Sequence, residues 1–151
     1  MPSGGFGLVR TRTGRRTETA PGGVAFFSEC TGRTLKRVAG LGTHVHMPSG
    51  KVLTAAGSRG AEVLILLSGT ATCLVREVEV TRFGPGDFFG EVATLDGGPR
   101  TATVVASTDV ELLVLNRIEF ERLVKSSPEI AHRMLRTMAH RLRQANAQAV
   151  A

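Results

Sequence analysis

From Leu41 the chain alternates, with Leu41, Thr43, Val45 and Met47 on one side and Gly42, His44 and His46 on the other, until Pro48-Ser49-Gly50 turns it. A period of two is the mark of a half-buried strand. Further strands are predicted at 51–54, 61–67, 70–76, 77–82, 99–105 and 109–115, broken by Gly57, Gly60, Gly69, Gly84 and Gly86. Many short strands with regular turns describe an antiparallel β-roll or jelly roll. The period then lengthens. Asn116 with Glu119 three residues on makes a variant of the capping box, and Ile118, Phe120, Leu123 and Val124 form one helical face. Ser127-Pro128 opens a second helix, whose apolar positions Ile130, Met134, Leu135, Met138 and Leu142 recur at helical spacing. The fold class is therefore mainly β with terminal helices. Upstream, residues 24–27 are apolar, and Leu35, Val38 and Ala39 give a short helix that stops at Gly40.

Residues 1–23 have only scattered apolar positions and end in Pro21-Gly22-Gly23, so the domain is expected to run from 24 to 151 behind a basic, disordered tail. Much of the net charge of +6 lies there, in Arg10, Arg12, Arg15 and Arg16. No aromatic residue is interleaved with these arginines to stack on bases, which favours a solvated tail over a nucleic-acid contact. A chain of 151 residues is about one domain, and no apolar run approaches the roughly 20 residues that span a bilayer. The start lacks a secretory segment, so a cytoplasmic location is expected. Cys30 and Cys73 show neither CxxC nor zinc-finger spacing, and read as free thiols rather than a disulfide framework or a structural metal site.

The stretch from Phe88 to Thr103 carries the candidate chemistry. Gly90 precedes a short helical turn, where backbone can approach a ligand closely and free N–H groups favour an anion. Arg100 adds a two-pronged donor face suited to phosphate oxygens. Glu91 in the same turn would oppose an anion unless it accepts hydrogen bonds from nearby hydroxyls. The three together describe a sugar phosphate.

The run Phe89-Gly90-Glu91, then Val92-Ala93, six residues ending in Pro99, then Arg100-Thr101-Ala102 resembles the phosphate-binding cassette of cyclic-nucleotide-binding domains, with no insertion. The resemblance extends over roughly residues 24 to 143 and includes the Leu67-Ser68-Gly69 turn and the Gly84-Pro85-Gly86-Asp87 approach. It implies a β-roll closed by helices and a sensor of cAMP or cGMP with no cofactor and no enzymatic activity. It further implies that Arg100 holds the cyclic phosphate, that Glu91 takes the ribose 2′-hydroxyl, and that amides of Gly90, Val92 and Ala93 complete the cradle. Cys73 and Val80 fall where small apolar side chains line the purine, although ordinary core packing explains them equally well. Thr101 permits cGMP without demanding it; both nucleotides are expected to bind, with cAMP slightly favoured. Bacterial relatives of the catabolite-activator type continue into a helix-turn-helix domain. Too few residues follow Arg143 for one here, and the partner would be another protein or a parent channel, kinase or regulator. The helix from Pro128 is expected to act as a lid, with Met138 and Arg141 reaching the base; its apolar stripe suits permanent core or a homodimer seam nearly as well.

Two other readings compete. His44-Val45-His46 places two imidazoles on one strand face, as in metal-binding cupin enzymes. The acid and third histidine of such a site have no counterpart, because Met47 to Lys51 contains no acid and His132 and His140 lie in the last helix. A solvent-facing pair on an edge strand is the expectation. No base stands beside either thiol and no G-x-S-x-G motif is present, so catalysis gains no support. The second alternative is a β-roll scaffold with a silent nucleotide site.

Overall fold

The computed structural model describes residues 9–10 and 38–150. Two antiparallel sheets face one another. The first has the order β1 (Val9–Arg10), β2 (Thr43–Met47), β9 (Val110–Leu115), β4 (Val63–Ser68), β7 (Phe88–Phe89). The second runs β3 (Val52–Thr54), β8 (Thr103–Ala106), β5 (Ala71–Val75), β6 (Val78–Phe83). Among the described residues, the helices from Glu91 onward follow the scheme of the sequence: α1 (Glu91–Asp96), α2 (Arg117–Ser126) and α3 (Pro128–Val150).

The central strands are apolar over Val63–Leu67 of β4 and Leu112–Leu115 of β9 because both of their faces are covered. Leu64 and Leu66 of β4, with Val110, Leu112 and Val114 of β9, face the second sheet in one core. Ile65, Val63 and Leu67, with Leu113 and Leu115, join Phe120, Leu123, Ile130 and Met134 of the helices in another. The first sheet is thus the middle layer of three. β6 has no such cover on its outer face and leaves four of its six residues exposed.

Helix α2 begins with a complete capping box, in which the Asn116 side chain accepts from the Glu119 N–H and the Glu119 carboxylate accepts from the Asn116 N–H, both at 2.8 Å. Phe120 and Leu123 are buried, whereas Ile118, expected on the same face, is exposed. In α3 the apolar stripe divides. At roughly 100° per residue, Ile130, Met134, Met138 and Arg141 fall within one narrow sector, while Leu135 and Leu142 lie beside it. Ile130 and Met134 are buried, Met138 packs on the helix-side core, and Leu135 and Leu142 are exposed. That ridge carries Arg141 inward.

Two further sequence expectations are corrected. The strand predicted at 99–105 starts only at Thr103, because the Arg100 N–H donates to the Ser58 carbonyl and the Gly57 N–H to the Arg100 carbonyl, which ties this segment to a loop. The histidines do not form a solvent-facing pair on an edge. β2 lies between β1 and β9, both rings are half-buried, and His44 Nε2 is 3.0 Å from the Ala39 carbonyl. Val38 and Ala39 are helical and end at Gly40 as expected. Of the leading segment, Val9–Arg10 pairs with His46 and Val45, and the rest of 1–23, residues 24–27, Cys30 and Leu35 lie outside the described residues.

Candidate functional site

The cradle forms where β7 ends and α1 begins. Gly90 is the N-cap of α1 at φ 92, a conformation that side chains other than hydrogen rarely allow. A Cβ there would lie 2.6 Å from Arg100 Nη1 and 2.7 Å from the Glu62 carbonyl oxygen. The Gly90 carbonyl accepts from Thr94 Oγ1 at 3.0 Å, from the Thr94 N–H at 3.3 Å and from Arg100 Nη1 at 3.2 Å. Three donors on one oxygen hold the turn in place.

Arg100 is buried to 6% exposure. Its Nη1 donates to the Glu62 carbonyl at 2.9 Å as well as to Gly90, and its Nη2 lies 3.5 Å from Glu62 Oε1. Gly60 closes the other edge, where a Cβ would stand 2.7 Å from Nη2. Burial pushes the guanidinium pKa down, and the nearby carboxylates of Glu62 and Glu91 push it back up. An arginine so placed remains a cation at neutral pH.

Glu91 is equally buried, at 6% exposure. Its Oε2 accepts from Arg141 Nη1 at 3.2 Å, and Arg141 Nη2 donates to the Phe88 carbonyl at 2.6 Å. The Arg141 guanidinium lies over the rings of Phe88, at 4.5 Å, and Phe83, at 5.1 Å. Phe83 in turn stacks on Phe89 at 5.3 Å. Cys73 belongs to this neighbourhood: burial pushes its thiol pKa up, with Arg141 lowering it and Glu91 raising it by their charges.

The structure brings most of the expected residues together. Cys73, Phe83 and Phe89 share one apolar cluster, against which Val80 and Ala102 pack. Ala93 is buried, while Val92, Pro99 and Thr101 are exposed at the rim. Met138 stands apart, in the helix-side core. Glu62, Thr94 and Gly60 escaped sequence reasoning. Thr94 lies inside the expected cassette, but Glu62 stands 38 residues from Arg100 with no motif to mark it. Among the described residues no three His, Cys, Asp or Glu side chains gather where they could hold a metal ion, His44 and His46 included.

The cradle, with its buried arginine, buried carboxylate and left-handed glycine, lies within a segment that matches a known family of domains. The model of the cyclic nucleotide-binding domain covers residues 44–127, more than half of the chain. The chain belongs to that family. A cyclic nucleotide-gated potassium channel of Rhizobium etli is 39% identical over 95 residues, which are 63% of this chain and 26% of the channel. The cyclic AMP receptor protein of Thermus thermophilus is 35% identical over 104 residues, 66% of this chain and 48% of that protein. The crystal structure of the Thermus thermophilus catabolite activator protein superposes with a TM-score of 0.75 at 29% identity, covering 82% of this chain and 61% of that one. The chain thus spans between a quarter and a half of the length of these curated relatives. Cyclic nucleotide-binding domains are regulatory modules rather than catalytic ones. Among the described residues no helix is long and apolar enough to cross a membrane.

Proposed function

We propose that this domain senses cAMP, cGMP or both in the cytoplasm and passes their arrival to its last helix. One observation carries the reading: Arg100 and Glu91, both buried, converge on the same glycine-led turn, a cation for a cyclic phosphate beside a carboxylate for a ribose hydroxyl. Amides of Gly90, Val92 and Ala93 complete the phosphate cradle. Phe89 backs the turn, Pro99 leads into the arginine, and Cys73, Val80 and Ala102 form the apolar wall for the purine. The names of the channel and of the receptor protein support the same ligand class. The function calls for no cofactor and no chemical step. The receiver of the signal is a partner protein or a parent chain.

Arg141 supplies the physical link to α3. A carboxylate accepts at both of its oxygens, so a ribose hydroxyl that bonds Glu91 would join the Arg141 guanidinium on the same group and tie α3 to the ligand. Differential contact of this kind is what lets binding shift a conformational equilibrium. Calorimetry of the chain with each nucleotide is the direct test; saturable single-site binding is expected with both, and silence with both overturns the reading. In hydrogen exchange, amides of 130–142 should gain protection with nucleotide together with those of 90–95. Equal exchange of α3 in the two conditions would remove that helix from the signal path.

Choice of base is assigned to Thr101, whose exposed hydroxyl is able to meet the amino group of a syn guanine. Thr101→Ala should shift the affinity ratio toward cAMP by about threefold, on the order of one modest hydrogen bond. An unchanged ratio means that the hydroxyl does not read the base.

A further inference from the structure

We infer that Glu62 is a built-in counter-ion that competes with the ligand phosphate for Arg100 and thereby sets the affinity of the domain. The inference rests on the nucleotide reading above and adds a residue that no cassette motif contains. The cradle holds two cations, Arg100 and Arg141, and two carboxylates, Glu62 and Glu91, at pair distances of 3.5 Å and 3.2 Å. Its charges balance. A cyclic phosphate brings a third anion to two cations, and one carboxylate has to yield.

Exposure decides which. The Glu91 side chain is 8% exposed and faces a guanidinium that is held at the Phe88 carbonyl, so it has nowhere to go. The Glu62 side chain is 41% exposed and can turn into solvent. Nor does Arg100 need that carboxylate for its position. Its Nη1 is held by two backbone carbonyls, Glu62 and Gly90, which any residue at position 62 retains. The Glu62 carboxylate meets only Nη2, at a distance long for a hydrogen bond, and so contributes charge more than orientation. Binding then exchanges one anion for another at Arg100, and part of the phosphate's attraction is spent on expelling Glu62.

Titration of the full chain with cAMP distinguishes the roles by sign. Glu62→Gln, which keeps the shape, and Glu62→Ala, which removes the side chain, should each bind cAMP about fivefold tighter than wild type, the scale of a partly solvated ion pair. A residue that merely held Arg100 in place would instead weaken binding when lost. Thermal melts without nucleotide accompany the titrations to confirm that both variants fold. Affinity unchanged or weaker in the two variants, with wild type binding normally, overturns the competition and leaves the nucleotide reading standing. Wild type that binds neither cAMP nor cGMP overturns both.

Discussion

Arg100→Ala is expected to abolish nearly all cyclic-nucleotide binding. Truncating one partner of a buried charge pair costs about 2–5 kcal/mol, tens to thousands of fold in affinity. Arg100 sits at that end of the range, since it is almost wholly shielded from water and its charge would be the main one facing the phosphate. The fold will also feel the loss, because the carbonyls of Glu62 and Gly90 both lose a donor. An unsatisfied buried acceptor costs about 1–3 kcal/mol, but the Gly90 carbonyl keeps its two bonds from Thr94. The variant should therefore melt lower yet fold. Arg100→Lys keeps the charge and surrenders the fork, and it should bind clearly more weakly than wild type while exceeding the alanine variant. A folded Arg100→Ala protein that binds within about threefold of wild type, under about 1 kcal/mol, would show that the phosphate is held elsewhere.

Gly90→Ala should damage stability and binding together. At φ 92 an L-residue carries strain of about 1–3 kcal/mol, and the added Cβ would also stand 2.7 Å from the Glu62 carbonyl oxygen, which belongs to the backbone and yields little. The same Cβ would crowd Arg100 Nη1, so the guanidinium must move off its two carbonyls. Gly97→Ala is the matched control. It caps the other end of α1 at φ 74, where an added Cβ meets nothing within 4 Å, and it should show the strain alone. Gly97→Ala is expected to lower the melting temperature by a few degrees and leave affinity intact, while Gly90→Ala lowers it further and cuts affinity by at least about tenfold. Melting curves and cAMP titrations of the pair check this; equal behaviour of the two variants would mean that the close approach at Gly90 plays no part in the site.

Local chemistry determined a large share of this protein from the chain alone. The alternation from Leu41 and the glycine-bounded runs after it located most of the strands, the capping box at Asn116 started α2 where it was expected, and the spacing from Gly90 to Arg100 placed the cradle's glycine, carboxylate and arginine. Those features depend on neighbours within about a dozen residues, so they are written in the order of the residues. Three matters were left to tertiary structure. The unbroken apolar run of β4 shows no alternation, and only the layering of sheet between sheet and helices assigned Leu64 and Leu66 to one core and Ile65 and Leu67 to the other. The strand expected from Pro99 was shortened by hydrogen bonds to a loop at Gly57 and Ser58, a pairing that no residue near Arg100 announces. Above all, the carboxylate partners of the two arginines lie 38 and 50 residues away, Glu62 beside Arg100 and Glu91 beside Arg141. The helical period puts Arg141 on the buried ridge of α3, but where that ridge lands is decided by how the helix packs on the sheet, and a charge finds its partner only after the packing has been done.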